Sequence, residues 1–326
     1  MSNITGGSIG DSWALKNYVG ELYTADADNT PLLSMIGGLT GGKRTGRSEF
    51  AISQEYAFET AAQPAITETA SLTAPNPVSY VRVPVVNTTQ IFHKSVALSY
   101  NKMAQVDNLT AVEVSTSGYG YYNPKETNPI TSELDFQIAT TLKQIANDVE
   151  VTCISGAYQQ ATGVGVAAKS RGLLACAVAG STTTAAAGAT LDKTLLNAEL
   201  ALMYGAGARF QNPVIFCNAF QKQAISSIYG YAPTDRNVGG VNIKQIETDF
   251  GNIGITLSRY MDADTILIAD LSVVTPVFQE VPGKGLLFYE TLSKTGAKES
   301  GQIFGMIGLY HGPYWMHGSI TGLATS

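Results

Sequence analysis

Few residues of this chain have the type and spacing that catalysis or metal binding requires. The three histidines are His93, His311 and His317, and neither HExxH nor CxxC spacing surrounds any of them. With so few histidines, an acid–base triad has few candidates. We therefore expect each histidine to lie on a strand surface or in a turn, with His311 and His317 flanking a hairpin.

Two segments imitate ligand-binding loops, and each lacks a residue that the chemistry needs. The segment 163–170 (GVGVAAKS) resembles a phosphate loop, but Ala168 stands where glycine should precede Lys169. The segment 26–29 (DADN) resembles the start of a calcium loop, but Pro31 replaces the turn glycine and the bidentate glutamate is missing. The sequence thus predicts no active site, no cofactor and no metal site, and we expect that the protein is not an enzyme.

The chain is poor in charged residues. They make up only 14% of its 326 residues, against about 25% in a typical domain. Either a surface rich in uncharged polar groups or extensive contact with other chains accounts for this shortage, and composition alone does not separate the two.

The charge balance and the apolar pattern exclude several classes of protein. A net charge of −6 argues against a dedicated nucleic-acid binder. No signal-peptide pattern opens the sequence, and no run approaches 18 apolar residues, so we expect no membrane contact. The isolated Cys153, Cys176 and Cys217 favour reduced thiols over a disulfide framework.

One stretch is expected to form the structural spine of the chain. Its apolar residues recur every three or four positions, on one face of a helix: Leu134, Ile138, Leu142, Ile145 and Val149. Ser132 followed by Asp135 is a capping-box-like start. The pattern predicts a helix from about 132 to 162, which is more than twice the mean length of a helix in globular proteins. Its polar face carries Gln137, Lys143, Gln144, Asp148 and Glu150.

Two other stretches have too few apolar residues to fold alone. Residues 1–46 contain one apolar cluster, from Asn29 to Gly38, which ends in two glycines. Residues 47–86 alternate partly at both ends around a tip rich in Thr, Ala and Pro. They predict a long β-hairpin with about 18 residues in each arm. Both stretches must lie on something outside themselves.

The C-terminal half predicts mixed α and β structure. Helices are expected over 191–204 and after Asn218, with a short buried strand at 213–217 between them and further strands up to 280. Residues 190–280 therefore look like one compact α+β unit. At the end of the chain, 303–310 is expected to pair with 314–320 across a turn at 311–313.

This order of elements, together with three segments, resembles the tailed-bacteriophage major capsid (major head) proteins of the Hong Kong 97 (HK97) type. The segments are NTPLLSMIG at 29–37, NTTQIFHK at 87–94, and LSKTGA at 292–297 with the strands that follow it. The resemblance covers nearly the whole chain. It rests on the order and spacing of the elements more than on any single motif.

The resemblance implies an α+β, HK97-like fold with four parts. These are an N-terminal arm (1–46), an extended loop or E-loop (47–86), a peripheral P domain with the spine helix (87–189 and 281–326), and an axial A domain (190–280). It also implies hexamers and pentamers that form an icosahedral head around double-stranded DNA, in a virion assembled in the bacterial host cytoplasm. The implied partners are further copies of the chain, a portal protein, a separate scaffold, decoration proteins and, non-specifically, the packaged DNA.

The sequence departs from the family pattern in two ways. No lysine occurs between Arg47 and Phe92, so we predict no isopeptide cross-link from the E-loop of the kind that some members form. The arm starts almost at residue 1, so we expect any scaffold to be a separate protein, in contrast to members with a long N-terminal scaffolding domain.

The charges around the E-loop predict where subunits meet. We expect the loop to dock on a basic strip of a neighbouring subunit, with ordinary solvated charge as the alternative. The candidate assembly residues are Lys43, Arg44, Glu49, Glu55, Glu59, Glu68, Arg82 and Lys143.

Two other functional classes stay open at this point. A tail or fibre component, or a surface binding module, would also be rich in β structure, but fibres usually show short-period repeats, and the sequence has none. An α+β enzyme is the third class, and the missing acid–base constellation argues against it.

Overall fold

The computed structural model describes residues 29–59, 61–105, 132–229 and 244–325. The helices are α1 (Pro31–Met35), α2 (Glu68–Ser71), α3 (Tyr100–Gln105), α4 (Glu133–Ser155), α5 (Leu173–Ala179), α6 (Lys193–Ala206) and α7 (Ala219–Tyr229). The strands are β1 (Lys43–Thr45), β2 (Glu49–Glu55), β3 (Val83–Thr88), β4 (Gln90–Ser99), β5 (Thr183–Ala185), β6 (Pro213–Cys217), β7 (Gln245–Thr248), β8 (Gly251–Leu257), β9 (Ile266–Asp270), β10 (Thr275–Gln279), β11 (Leu287–Thr291), β12 (Lys298–Tyr310) and β13 (His317–Thr321). Most of the predicted arm, including Asp26 and Asp28 of the calcium-like segment, lies outside the described residues.

The long strand β12 is the centre of a five-stranded sheet. β4 pairs antiparallel along one side of β12, and β11 and β10 pair antiparallel with successive parts of the other side. β1 continues the sheet beyond β10 in a parallel pairing. The pair β2 and β3, which we call the E-loop root, lies close to Gly308 of β12. A Cβ at Gly308 would come within 2.8 Å of the Thr88 carbonyl oxygen.

The predicted spine helix is confirmed as α4, which packs on this sheet. The Ser132 side chain accepts a hydrogen bond from the Asp135 N–H, as a helix N-cap does. Ile145, Val149 and Cys153 are buried in one core with Ile303 and Ile307 of β12. Full burial of an aliphatic side chain contributes about 1.5–3 kcal/mol, so this stripe fixes the helix to the sheet.

The spine helix ends earlier than predicted, at Ser155 and not near 162. Gly156 leaves the helical conformation there, and its carbonyl accepts a hydrogen bond from the Gly172 N–H at 2.8 Å. A Cβ on Gly156 would lie 2.5 Å from the Ser170 carbonyl oxygen. The close approach of two distant glycines therefore turns the chain away from the helix axis.

A six-stranded sheet, in the order β5-β13-β9-β6-β8-β7, forms the rest of the fold. The predicted buried strand is confirmed as β6, whose five residues are all buried. Val214 and Phe216 point into the core beneath α4, whereas Ile215 and Cys217 point into a second core with α6 and α7. A strand covered on both faces has no polar side to show, which explains its continuous apolar run.

The predicted C-terminal hairpin is wrong. β12 lies in the five-stranded sheet, while β13 pairs with β9 and β5 in the six-stranded sheet. Gly312, with φ of +65°, and the 3-10 turn Tyr314–Met316 lead the chain from one sheet to the other. β5 and β13 thus share a sheet with strands of 190–280, although the predicted division puts both in the P domain; that division stays a prediction.

The histidines that we expected around the hairpin are both fully buried in this crossing. His317 Nε2 lies 2.6 Å from the His311 carbonyl oxygen, and the His311 ring stacks on Tyr314 at 5.2 Å between centroids. The expected surface position is therefore wrong for both: His311 lies in a turn and His317 begins β13, but the crossing runs between two packed sheets and both side chains are buried. His93 is exposed on β4 beside Gln302, as predicted.

Candidate assembly surfaces

The E-loop begins as a short ladder of two strands. β2 pairs antiparallel with β3, with a register shift between Ala51 and Ser53. The predicted ladder of about 18 residues per arm is wrong, since only the first six or seven residues of each arm pair. Pro64, Pro75 and Pro77 occupy the unpaired part, where each lacks the N–H that a ladder needs. We call residues 56–82 the outer E-loop.

The outer E-loop exposes apolar side chains. Phe58 is 76% exposed, Val81 73% and Leu72 84%. Phe58 stacks edge-on against Tyr56 and Tyr80, at centroid distances of 5.4 and 5.9 Å, so three aromatic rings form one cluster. Aromatic rings contribute most to binding where a partner covers them, so this cluster is suited to an interface.

The candidate acids fall into two groups. Glu59 and Glu68 lie in the outer E-loop and are exposed, and so is Arg82. Glu49 instead accepts hydrogen bonds from its own chain, from Tyr158 Oη at 3.3 Å and Gln160 Nε2 at 2.6 Å. Burial raises the pKa of Glu55, and the nearby backbone N–H of Tyr314 acts against that rise. Glu49 and Glu55 therefore hold the loop root, and Glu59 and Glu68 are the acids free to meet another subunit.

The candidate bases lie in two places. Lys43 lies over the Tyr310 ring, 3.2 Å from its centroid, and the neighbouring Arg44 forms an ion pair with Glu280 at 3.2 Å. The Arg44 side chain is still 68% exposed. Lys143 is exposed on α4. An exposed ion pair contributes little to stability, so Arg44 can exchange its partner at low energetic cost.

The apolar cluster of the arm packs on its own subunit. α1 places Leu32 and Leu33 in the core beneath α4, with exposed fractions of 0% and 2%. Glu150 of α4 accepts hydrogen bonds from the Leu32 N–H at 2.9 Å and the Leu33 N–H at 2.7 Å. Burial raises the pKa of Glu150, and these two donors act against that rise.

Glu150 was wrongly placed on the polar face of the spine, since it is fully buried. Sequence reasoning missed its role because residues 32 and 150 are far apart along the chain. One signal was available. Pro31 favours the start of a helix, whose first backbone N–H groups need acceptors, but only the structure shows that the Thr30 side chain does not supply one.

The described residues show neither a metal-binding cluster nor an exposed cysteine. No group of three or more His, Cys, Asp or Glu side chains there could hold a metal ion. The three cysteines are buried and unbonded, and burial raises the pKa of Cys217 to about 12, so that thiol stays protonated. No helix in the part of the chain that the structure describes has the length and apolarity to cross a bilayer.

Solved capsid structures share this fold. The cyanophage A-1(L) capsid asymmetric unit aligns with a TM-score of 0.67 at 11% identity, over 96% of this chain and 97% of that chain. The capsid of a native GTA particle aligns with a TM-score of 0.56 at 12% identity, over 96% of both chains. A chain of Mycobacterium phage Bobi aligns with a TM-score of 0.53 at 10% identity, over 94% of this chain and 96% of that one. These identities show the fold alone, which is the predicted HK97-type α+β fold.

Comparison by sequence gives the family. No curated protein sequence matches the chain. The family model described as the SU10 major capsid protein matches residues 3–324, which is nearly the whole chain. The predicted role as a structural, shell-forming protein is confirmed by this match, and the chain belongs to the SU10 major capsid protein family.

Proposed function

We propose that this chain assembles into hexamers and pentamers that tile an icosahedral head around double-stranded DNA. The observation that carries the proposal is the contrast between a well-packed body and an outer E-loop with exposed aromatic and aliphatic side chains. Such a loop gains stability only when another surface covers it. We assign that surface to a neighbouring copy, as repeated self-association requires.

Charge complementarity supports this docking. The outer E-loop carries Glu59 and Glu68, while Arg44 and Lys143 are exposed on the body of the subunit. Opposite charges on the two surfaces guide association and fix register more than they add affinity. We therefore propose that Glu59 and Glu68 meet a basic strip of the neighbour that includes Lys143 or Arg44.

The division of labour within the subunit follows the same proposal. The arm (1–46) and E-loop (47–86) link subunits, the P domain (87–189 and 281–326) carries the spine, and the A domain (190–280) faces its counterparts around each capsomer. The role is structural and needs no catalysis. Assembly takes place in the bacterial host cytoplasm, with a portal protein, a separate scaffold, decoration proteins and packaged DNA as the further partners, and the product is the virion capsid.

The test is assembly of the whole chain and of charge-reversed variants. We expect the wild type to form shells or capsomer rings, seen by size-exclusion chromatography and negative-stain microscopy. Glu59→Lys with Glu68→Lys should leave the subunit folded and weaken assembly, most strongly at low salt. Glu247→Lys, an exposed acid outside the loop, is the matched control.

A second reversal identifies the docking strip. Lys143→Glu added to the two loop substitutions should restore assembly if Lys143 faces the loop across the interface. Arg44→Glu provides the same test for the other candidate base. A wild type that stays monomeric would contradict the proposed function, and loop reversals that leave both assembly and its salt dependence unchanged would contradict the docking mode.

A further inference from the structure

Both arms of the E-loop root bind the same short segment of the body, between α4 and α5. From β2, Glu49 accepts hydrogen bonds from Tyr158 and Gln160. From β3, the fully buried Asn87 accepts a hydrogen bond from the Arg171 N–H at 2.8 Å. Its amide group also donates to the Arg171 carbonyl oxygen at 3.2 Å.

The Arg171 side chain extends this attachment to the crossing between the two sheets. Its guanidinium carbon lies 4.8 Å from the Tyr158 ring centroid and 5.0 Å from that of Tyr314, so it stands between the two rings. Tyr158 binds the E-loop root through its hydroxyl group, and Tyr314 lies in the turn that joins β12 to β13. The stack therefore connects the loop to a turn that both sheets share.

Stacking, and not an ion pair, is what holds this guanidinium. Arg171 Nε is buried without a hydrogen-bond partner among the described residues, and no described carboxylate forms a salt bridge with Arg171. A planar guanidinium can lie against two rings at once, which the compact ammonium group of lysine does not reproduce. The contact is therefore specific for arginine.

We infer that the Arg171 clasp, formed by Tyr158, Arg171 and Tyr314 with Glu49 and Asn87, sets the angle at which the E-loop leaves the subunit. Arg171 is then a positioning residue for assembly: it touches no partner, but it holds the loop where the neighbour's surface can be reached. A loop with a free angle must lose more conformational entropy on docking, so assembly weakens when the clasp opens. This inference rests on the proposed role of the E-loop in assembly.

The first test measures the loop root in the unassembled subunit. Arg171→Lys keeps the charge and removes the double stack, and Tyr158→Phe keeps the ring and removes the hydroxyl group that binds Glu49. Hydrogen exchange, read by mass spectrometry, should rise at least threefold in peptides from β2 and β3 of both variants. Exchange in α4 and β6 should be unchanged. Lys169→Arg, a nearby exposed base outside the clasp, is the control.

The second test measures assembly. The protein concentration needed for shells or capsomers should rise about tenfold for Arg171→Lys, as expected for the loss of one to two kcal/mol of cation–π stacking. Unchanged exchange in β2 and β3 would overturn the inference, and so would increased exchange throughout the subunit, because Arg171 would then serve general stability. A failure of the wild type to assemble would contradict the proposed function alone, since the exchange experiment still reports on the clasp.

Discussion

The arm segment 31–36 and the outer E-loop are both extensions that cannot fold alone, yet the structure treats them differently. Leu32 and Leu33 are buried in the subunit's own core, and Glu150 binds their backbone N–H groups. Phe58 and Leu72 of the outer E-loop remain exposed. The difference lies in local organisation: the arm gathers its apolar residues into one helical turn, whereas the loop spreads them over 27 positions between prolines. The compact apolar cluster of the arm is covered within the subunit, whereas the dispersed apolar side chains of the outer E-loop are left for a partner to cover.

The largest expected effect tests the buried side of this comparison. Leu32→Ala should destabilise the dissociated subunit by about 2–5 kcal/mol, because it removes a fully buried side chain and leaves a cavity. Leu72→Ala in the outer E-loop should change stability by less than about 0.5 kcal/mol, because that side chain is exposed. Denaturant unfolding measures both. Equal effects would remove the distinction between the two extensions.

The next largest effect compares Glu150, which binds the arm segment, with Glu59 of the outer E-loop. Glu150→Ala should cost about 2 kcal/mol, because the N–H groups of Leu32 and Leu33 lose their acceptor in a buried site. Glu59→Ala should be close to neutral for the isolated subunit, since Glu59 is exposed. The same unfolding experiment reports both values. If Glu150→Ala were neutral, hydrophobic burial alone would hold α1.

The smallest expected effect is a pH dependence of stability that arises from His311, in the buried turn between the two sheets. Burial lowers the pKa of His311 to about 3. Below about pH 6.5 the unfolded chain therefore binds a proton at this histidine, whereas the folded chain does not. The contribution of His311 to stability is therefore fully present above about pH 6.5 and is lost as the pH drops toward 3. The expected loss is about 1 kcal/mol between pH 7 and 5.5.

His311→Gln should reduce the slope of this part of the pH–stability curve, and the buried His317, whose pKa burial also lowers, should account for slope that remains. Burial raises the pKa of Glu199 to about 7, which acts in the opposite direction, because the folded chain then holds a proton that the unfolded chain has released. The test is therefore the difference between the curves of the wild type and His311→Gln. Parallel curves would show that His311 is not the titrating group.

Local signals carried the parts of the fold that were predicted correctly. Ser132 before an apolar stripe marked the start of α4, and the run at 213–217 marked a strand buried on both faces. The failures all depend on contacts between distant residues. Gly172 ends the spine at Gly156, Glu150 binds the arm, and β9 draws β13 away from β12. No pattern within a short window contains these partners.

The candidate site was predicted in outline only. Partial alternation predicted a hairpin at 47–86, the family resemblance made that hairpin the E-loop, and its acids were named as one set. The structure separates that set, because Tyr158 and Gln160 bind Glu49 while Glu59 stays exposed. The role of Arg171 was not predicted. Its two stacking partners, Tyr158 and Tyr314, are far apart in the sequence and meet only in the folded structure.

The alternation of β6 has a consequence for how the subunit folds. Phe216 joins the core beneath α4, and Ile215 joins the core beneath α6, so one strand belongs to both halves of the molecule. Neither half can close its interior before β6 is in place. We therefore expect a single cooperative unfolding transition for the described body of the subunit, with no independently stable fragment. We therefore expect a newly made chain to complete neither core until β6 has been synthesised.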